Sequence, residues 1–167
     1  MSASPTIILD HEQVRRKLER IAHQLHEEHF AEKGIVMVGV AKRGAKLAER
    51  LAGMLTGIAE LKVELLTITL DKDDPHAAPV RLNASLDRLD GQVVVLVDDV
   101  LMSGRTLMHA AAFLVGAKPK RVTTVVLVDR RHRTFPIRAD IVGLTLSTNL
   151  QEHISVELGS RDRVHLS

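Results

Sequence analysis

Val93-Val94-Val95-Leu96-Val97 is an unbroken apolar, mostly β-branched run, and Asp98-Asp99 closes it. A strand with one wet face alternates apolar and polar residues, so this run reads as a strand buried on both faces. Ser103-Gly104-Arg105-Thr106 follows closely and opens a helical segment, Arg105 to Val115. A buried strand feeding a helix is the unit of a parallel sheet, and such a sheet needs helices on both faces. The stretch therefore points to an α/β fold.

The remaining elements agree. Asp10 can cap a helix running to about Phe30, with Val14, Leu18, Ile21 and Leu25 as its apolar stripe. Ile35 to Val40 reads as a buried strand, Ala41 to Gly44 as a short loop, and Ala45 to Ile58 as a second helix. Leu61 to Leu70 and Val122 to Val128 are further strands, and Ile137 to Leu144 and Ile154 to Leu158 short late ones. Arg130 to Arg133 is a basic turn. Asp71 to Leu89, with Pro75 and Pro79, is polar and irregular, and long for a plain connector. One domain over residues 1–167 is expected from the length.

Ligands on such sheets sit at the carboxyl ends of the strands. Three loops fall there: Ala41 to Gly44, Asp98 to Arg105, and Asp129 to Arg133. In the middle one, paired carboxylates call for a cation or hydroxyl donors. Gly104 allows a close approach, Ser103 and Thr106 add hydroxyls, and the amides at a helix start attract phosphate. This combination suits a sugar phosphate. It is not a Walker loop, since no Gly-Lys-Ser/Thr is present.

Composition narrows the rest. Aromatics are only 2% of the chain, with no Trp or Tyr, so aliphatic residues must fill the core. Cysteine is absent, which excludes disulfides and thiolate chemistry. A net charge of +2 is too small to argue for nucleic acid by itself. No apolar run approaches the roughly 20 residues of a membrane helix. With no basic and apolar leader pattern at Met1–Pro5, a cytoplasmic location is the expectation.

Val94 to Thr106 resembles the binding motif of type I phosphoribosyltransferases: two acids, two apolar residues, a variable residue, then Ser-Gly-Arg-Thr. Leu127 to Gly143 and Gly39 to Ala48 support the resemblance, which runs from the first helix to Leu158 and is closest to the PyrR type. It implies a central, mostly parallel sheet flanked by helices, with a small hood. It also implies a Mg²⁺-dependent transfer in which a nucleobase displaces pyrophosphate from phosphoribosyl pyrophosphate (PRPP). Catalysis would rest on Asp98, Asp99 and Arg43. Asp98 and Asp99 would hold the ribose hydroxyls and, through PRPP and water, the Mg²⁺. Met102, Ser103, Gly104, Arg105 and Thr106 would hold the 5′-phosphate. Ala41, Lys42, Arg43 and Gly44 would hold pyrophosphate, in this family often at a cis peptide. Asp129, Arg130, Ile141 and Val142 would face the base.

Several positions bear on which base. Purine-using relatives carry an Asp where Met102 stands and a Lys near Asp129, so this chain suits a pyrimidine, with uracil first. Met102 and Ile141 also replace aromatics usual in the PyrR type, and so remove stacking surface worth about 1–3 kcal/mol. A PyrR-like chain can bind RNA. Arg15, Arg16, Lys17 and Arg20, with Lys118, Lys120 and Arg121, are the basic residues available, although Glu19 departs from the usual small hydroxyl residue. Homodimers or larger homo-oligomers are expected. His23, His26 and His29 have helical spacing, but Glu27 and Glu28 beside them read as a solvated face rather than a metal site.

Overall fold

In a computed structural model, which describes residues 4–167, five parallel strands form the centre of the molecule. They are β2 (Gly34–Val40), β3 (Lys62–Thr69), β5 (Val93–Leu101), β6 (Arg121–Asp129) and β7 (Ile141–Thr145). A two-residue strand, β4 (Arg81–Leu82), runs antiparallel to β3 at one edge, giving the order β4-β3-β2-β5-β6-β7.

The apolar run of β5 works as its composition demands. Val93, Val95 and Val97 pack toward α1 (His11–Glu28) and α2 (Arg43–Ile58), while Val94 and Leu96 pack toward α3 (Arg105–Val115). All five are buried. The Val14, Leu18, Ile21 and Leu25 stripe of α1 is likewise buried. Asp10 caps α1: its side chain accepts the Gln13 N–H, and the Gln13 side chain accepts the Asp10 N–H in return.

A second, antiparallel sheet forms the hood, in the order β1 (Thr6–Leu9), β9 (Arg163–Leu166), β8 (Ile154–Glu157). Thr6 and Ile154 both stand opposite Leu166. Of these, only β8 is an expected strand. Ile154, Val156 and Val164 extend the core under α1 and α2.

Three boundaries differ from expectation. β5 continues through Asp98 and Asp99 to Leu101, because Val100 and Leu101 still pair with Val128 and Asp129. The carboxylates therefore lie inside the strand. β7 starts at Ile141, not Ile137, because Arg138 and Asp140 both bond to Thr124, through its hydroxyl and its backbone, and the regular ladder begins with Ile141 opposite Val125. Thr124 Oγ1 donates to the Arg138 carbonyl and accepts the Asp140 N–H, and Asp140 Oδ2 accepts the Thr124 N–H. The segment after β3 is irregular only to Val80; beyond it come β4 and a 3₁₀ turn, Leu86–Leu89, with Leu89 buried.

The histidine triplet is not one solvated face. His29, at the end of α1, is only 3% exposed, and its Nε2 lies 3.4 Å from Thr123 Oγ1. Burial, with the nearby Arg121, lowers its pKa below the usual imidazole value. Among the described residues no helix is long and apolar enough to cross a membrane.

Candidate active site

Neighbouring strands β2, β5 and β6 end side by side, so the three expected loops meet at one edge of the sheet. Asp98 and Asp99 are 3% and 5% exposed. Asp98 Oδ1 accepts the Asp99 N–H at 2.9 Å, and Asp99 Oδ1 accepts the Val100 N–H at 2.9 Å. Burial and the adjacent Asp99 carboxylate push the Asp98 carboxyl up to about 7, against the pull of the Lys72 ammonium. The pair thus presents closely spaced oxygens in need of positive charge.

The turn after β5 leads into α3 through Gly104, whose φ is +87°. Only glycine takes that conformation without strain. A Cβ there would also lie 2.8 Å from Ile137 Cγ2. No side chain caps α3, although Ser103 Oγ accepts the Arg105 N–H at 3.2 Å. The remaining first-turn amides are oriented for an anion. Asp98, Met102, Ser103, Gly104 and Thr106 line a small cavity of about 110 Å³ together with Lys72.

On the β2 side, the Ala41–Lys42 peptide bond is cis. Gly44 is buried against the backbone of β5. Lys42 and Arg43 are exposed, and with Lys46 they line a groove of about 440 Å³ completed by Glu157, Ser160 and Arg161 of the hood. This is a mostly cationic trough at the turn whose Gly44 packs against Asp98.

On the β6 side, Asp129 is occupied by its own turn. Its Oδ2 pairs with Arg133 Nη2 at 2.7 Å, and its Oδ1 accepts the Arg131 N–H at 2.9 Å. Arg130 is 4% exposed and forms no ion pair among the described residues. Its Nε donates to Thr148 Oγ1 at 2.9 Å, its Nη2 donates to the Asn149 and Glu152 carbonyls, and its Nη1 lies 3.1 Å from Met102 Sδ. Arg130 thus ties the segment after β7 to the phosphate turn.

Ile141 and Val142 are not brought to this edge. They open β7 opposite Val125 and Val126, whereas the end of β7 that lies beside Asp129 is Thr145. Ile141 is 1% exposed in the core, and the Val142 carbonyl accepts from Arg20. Three residues that sequence reading did not assign do reach the edge: Lys72, Thr148 and Arg161. The one local signal for Lys72 was a cation just past the end of a strand, before Asp73-Asp74.

The phosphoribosyl transferase domain model matches residues 4–161. A bifunctional protein PyrR from Pelotomaculum thermopropionicum is 41% identical over 97% of this chain and 93% of that protein. Another, from Streptomyces coelicolor, is 43% identical over 93% and 84%. Among solved structures, a hypoxanthine phosphoribosyltransferase from Trypanosoma cruzi complexed with IMP gives a TM-score of 0.77 at 19% identity, covering 87% of this chain and 73% of that one. A hypoxanthine-guanine phosphoribosyltransferase from Bacillus anthracis gives 0.73 at 23% identity, covering 88% and 85%. At these identities the structural likeness speaks for the fold alone. The chain belongs to the phosphoribosyltransferase family and is of the PyrR type.

Proposed function

We propose that the protein transfers the 5-phosphoribosyl group of PRPP to uracil, releasing pyrophosphate. The observation that carries this reading is the buried Asp98–Asp99 pair directly before the uncapped, glycine-led start of α3. The carboxylates accept from the ribose hydroxyls, and the Ser103–Thr106 turn donates to the 5′-phosphate. Lys42, Arg43 and Arg161 line the trough in which pyrophosphate departs. The protein's task is then positional and electrostatic: it fixes the two reactants and stabilises the charge that separates between them.

The donor set fits Mg²⁺. Two hard, buried oxygen ligands already draw an ammonium to 3.2 Å. Among the described residues no cluster of three or more acids and histidines could hold a metal unaided. Substrate oxygens and water would therefore complete its shell. Bound there, the ion offsets the charge of the leaving pyrophosphate.

Uracil is favoured over purines by Met102, which neither gives nor takes a proton. Incubation with PRPP and Mg²⁺ and a panel of bases tests the reading. UMP formation supports it; no UMP alongside ready formation of IMP or GMP overturns it.

A second reading is RNA contact. Arg15 is paired with Glu12 and Glu19, Lys120 with Glu32, and Arg121 with Glu28; of the other candidate cations on α1, Arg16 makes a 3.6 Å ion pair with the shared Glu12, Arg20 donates to the Val142 and Gly143 carbonyls, and Lys17 has no ion pair among the described residues. Arg16, Lys17 and Arg20 line a groove of about 570 Å³ with Ile8, Leu9 and Leu146. Salt-dependent binding to a pyrimidine-operon leader, lost in an Arg16→Ala, Lys17→Ala variant, supports it; binding no tighter than to random RNA removes it. Homo-oligomer formation is part of the same family reading, and sedimentation of the whole chain measures it.

A further inference from the structure

Lys72 stands in the centre of the candidate site. Its Nζ lies 3.2 Å from Asp98 Oδ1 and 3.9 Å from Asp99 Oδ1, and it is the only cation within ion-pair distance of either carboxylate among the described residues. Without it, two adjacent buried acids would have no counter-charge, a costly arrangement.

The segment carrying Lys72 is built to present it. Asp71 Oδ1 accepts the N–H groups of both Asp73 and Asp74, folding residues 71–74 into a tight turn. Arg105 Nη1 donates to the Asp73 carbonyl at 3.1 Å, and the His76 ring meets the His109 ring edge-on at 5.0 Å. These two contacts fasten the segment to the first turns of α3. In this arrangement the phosphate turn opens onto only about 110 Å³. Lys72 lines that cavity together with Asp98, Ser103, Gly104 and Thr106, so its ammonium stands between the carboxylate and the phosphate turn. Arg105, which the family motif assigns to the phosphate, is engaged with Asp73 at the same time.

We infer that Lys72 is a resident counter-ion of the Asp98–Asp99 pair, exchanged for the divalent cation that arrives with the sugar phosphate. This rests on the proposed function and deepens it, since the exchange makes occupation of the carboxylates and release of the 71–80 segment one event. A cation entering the pair displaces the ammonium; the turn then lifts, the cavity opens, and Arg105 is freed toward the phosphate.

Two measurements on the whole chain test it without turnover. The first is the affinity for Mn²⁺ together with PRPP, read by electron paramagnetic resonance with no acceptor base present. Lys72→Met is expected to bind Mn²⁺ about tenfold more tightly than wild type, because a competing charge at contact distance is gone. Lys72→Arg, which keeps the charge, stays near wild type. The second needs no variant: the rate at which the wild-type Lys72 amine is acetylated, read by peptide mass spectrometry, rises when Mn²⁺ and PRPP saturate the protein. Equal or weaker Mn²⁺ binding by a folded Lys72→Met protein overturns the inference, and so does an acetylation rate unmoved by Mn²⁺ with PRPP. Failure of the wild type to bind PRPP at all, by calorimetry, would instead count against the proposed function.

Discussion

Gly44, in the first turn of α2, packs its backbone against that of Asp98 in β5. A Cβ on Gly44 would stand 3.0 Å from Asp98 Cα and 2.7 Å from the Val97 carbonyl oxygen. Backbone cannot yield as a flexible side chain does, so the 41–44 turn and the carboxylate pair share one rigid position. Gly44→Ala is expected to cost roughly 1–3 kcal/mol of stability through overpacking. It should also weaken PRPP binding about tenfold or more, because displaced ligating groups lose alignment. Denaturant unfolding and calorimetric titration measure the two effects; unchanged PRPP affinity would separate the turn from the site.

The Asp98 carboxyl, raised to about 7 from its ordinary 3.8, sets a pH dependence of the ligand-free protein. Between those values the folded state binds the proton more tightly than the unfolded chain. Its contribution is therefore fully present below about pH 4 and is lost as pH rises toward about 7. Asp98→Asn has no proton to lose. Relative to wild type, its denaturation midpoint should climb steadily from about pH 4 to about pH 7 and then level off. A constant difference across that window would show that Asp98 titrates normally.

What local pattern encodes was readable; what distant pairing encodes was not. The valine run of β5 and the α1 stripe fix their own structures, since burial on two faces or one is written into residue order. β1 and β9 are four residues each and pair from opposite ends of the chain, Thr6 against Leu166, with no neighbour to announce them. The Asp98–Thr106 stretch is local, and its order of strand, turn and helix is written in it, although β5 runs on to Leu101 where a loop from Asp98 was expected. Ile141 and Val142 were assigned through resemblance, and strand register decided otherwise: β7 passes them before reaching the ligand edge. Lys72 and Arg161 lie in loops, where a single charge has no periodicity to reveal it.

Met102 is half-exposed beside Arg130, a place where a base can lie flat. Met102→Tyr supplies a ring there. The KM for uracil should fall several-fold, consistent with stacking worth about 1–3 kcal/mol per base. PRPP affinity should stay unchanged, because the turn from Ser103 to Thr106 is untouched. Steady-state kinetics with uracil varied at saturating PRPP measure this. A rise in KM would mean that the base does not approach Met102.

Thr148 reaches the site through Arg130 and through His132, whose Nε2 lies 3.3 Å from Thr148 Oγ1. Its Oγ1 accepts the Arg130 Nε–H at 2.9 Å, while the neighbouring Asn149 and Glu152 carbonyls take Nη2. Thr148→Val keeps the volume and removes that acceptor. One buried N–H of a guanidinium is then unpaired, at a cost of about 1–3 kcal/mol. The guanidinium rotates to recover a partner, and the Nη1 edge beside Met102 turns with it. The KM for the base should rise about tenfold, with PRPP affinity held within about twofold, since the phosphate turn and the carboxylates make no contact with Thr148. Thr148→Ser restores the acceptor and should return the KM to near the wild-type value. A Thr148→Val enzyme with wild-type KM for every base would show that Arg130 braces the fold without orienting the acceptor.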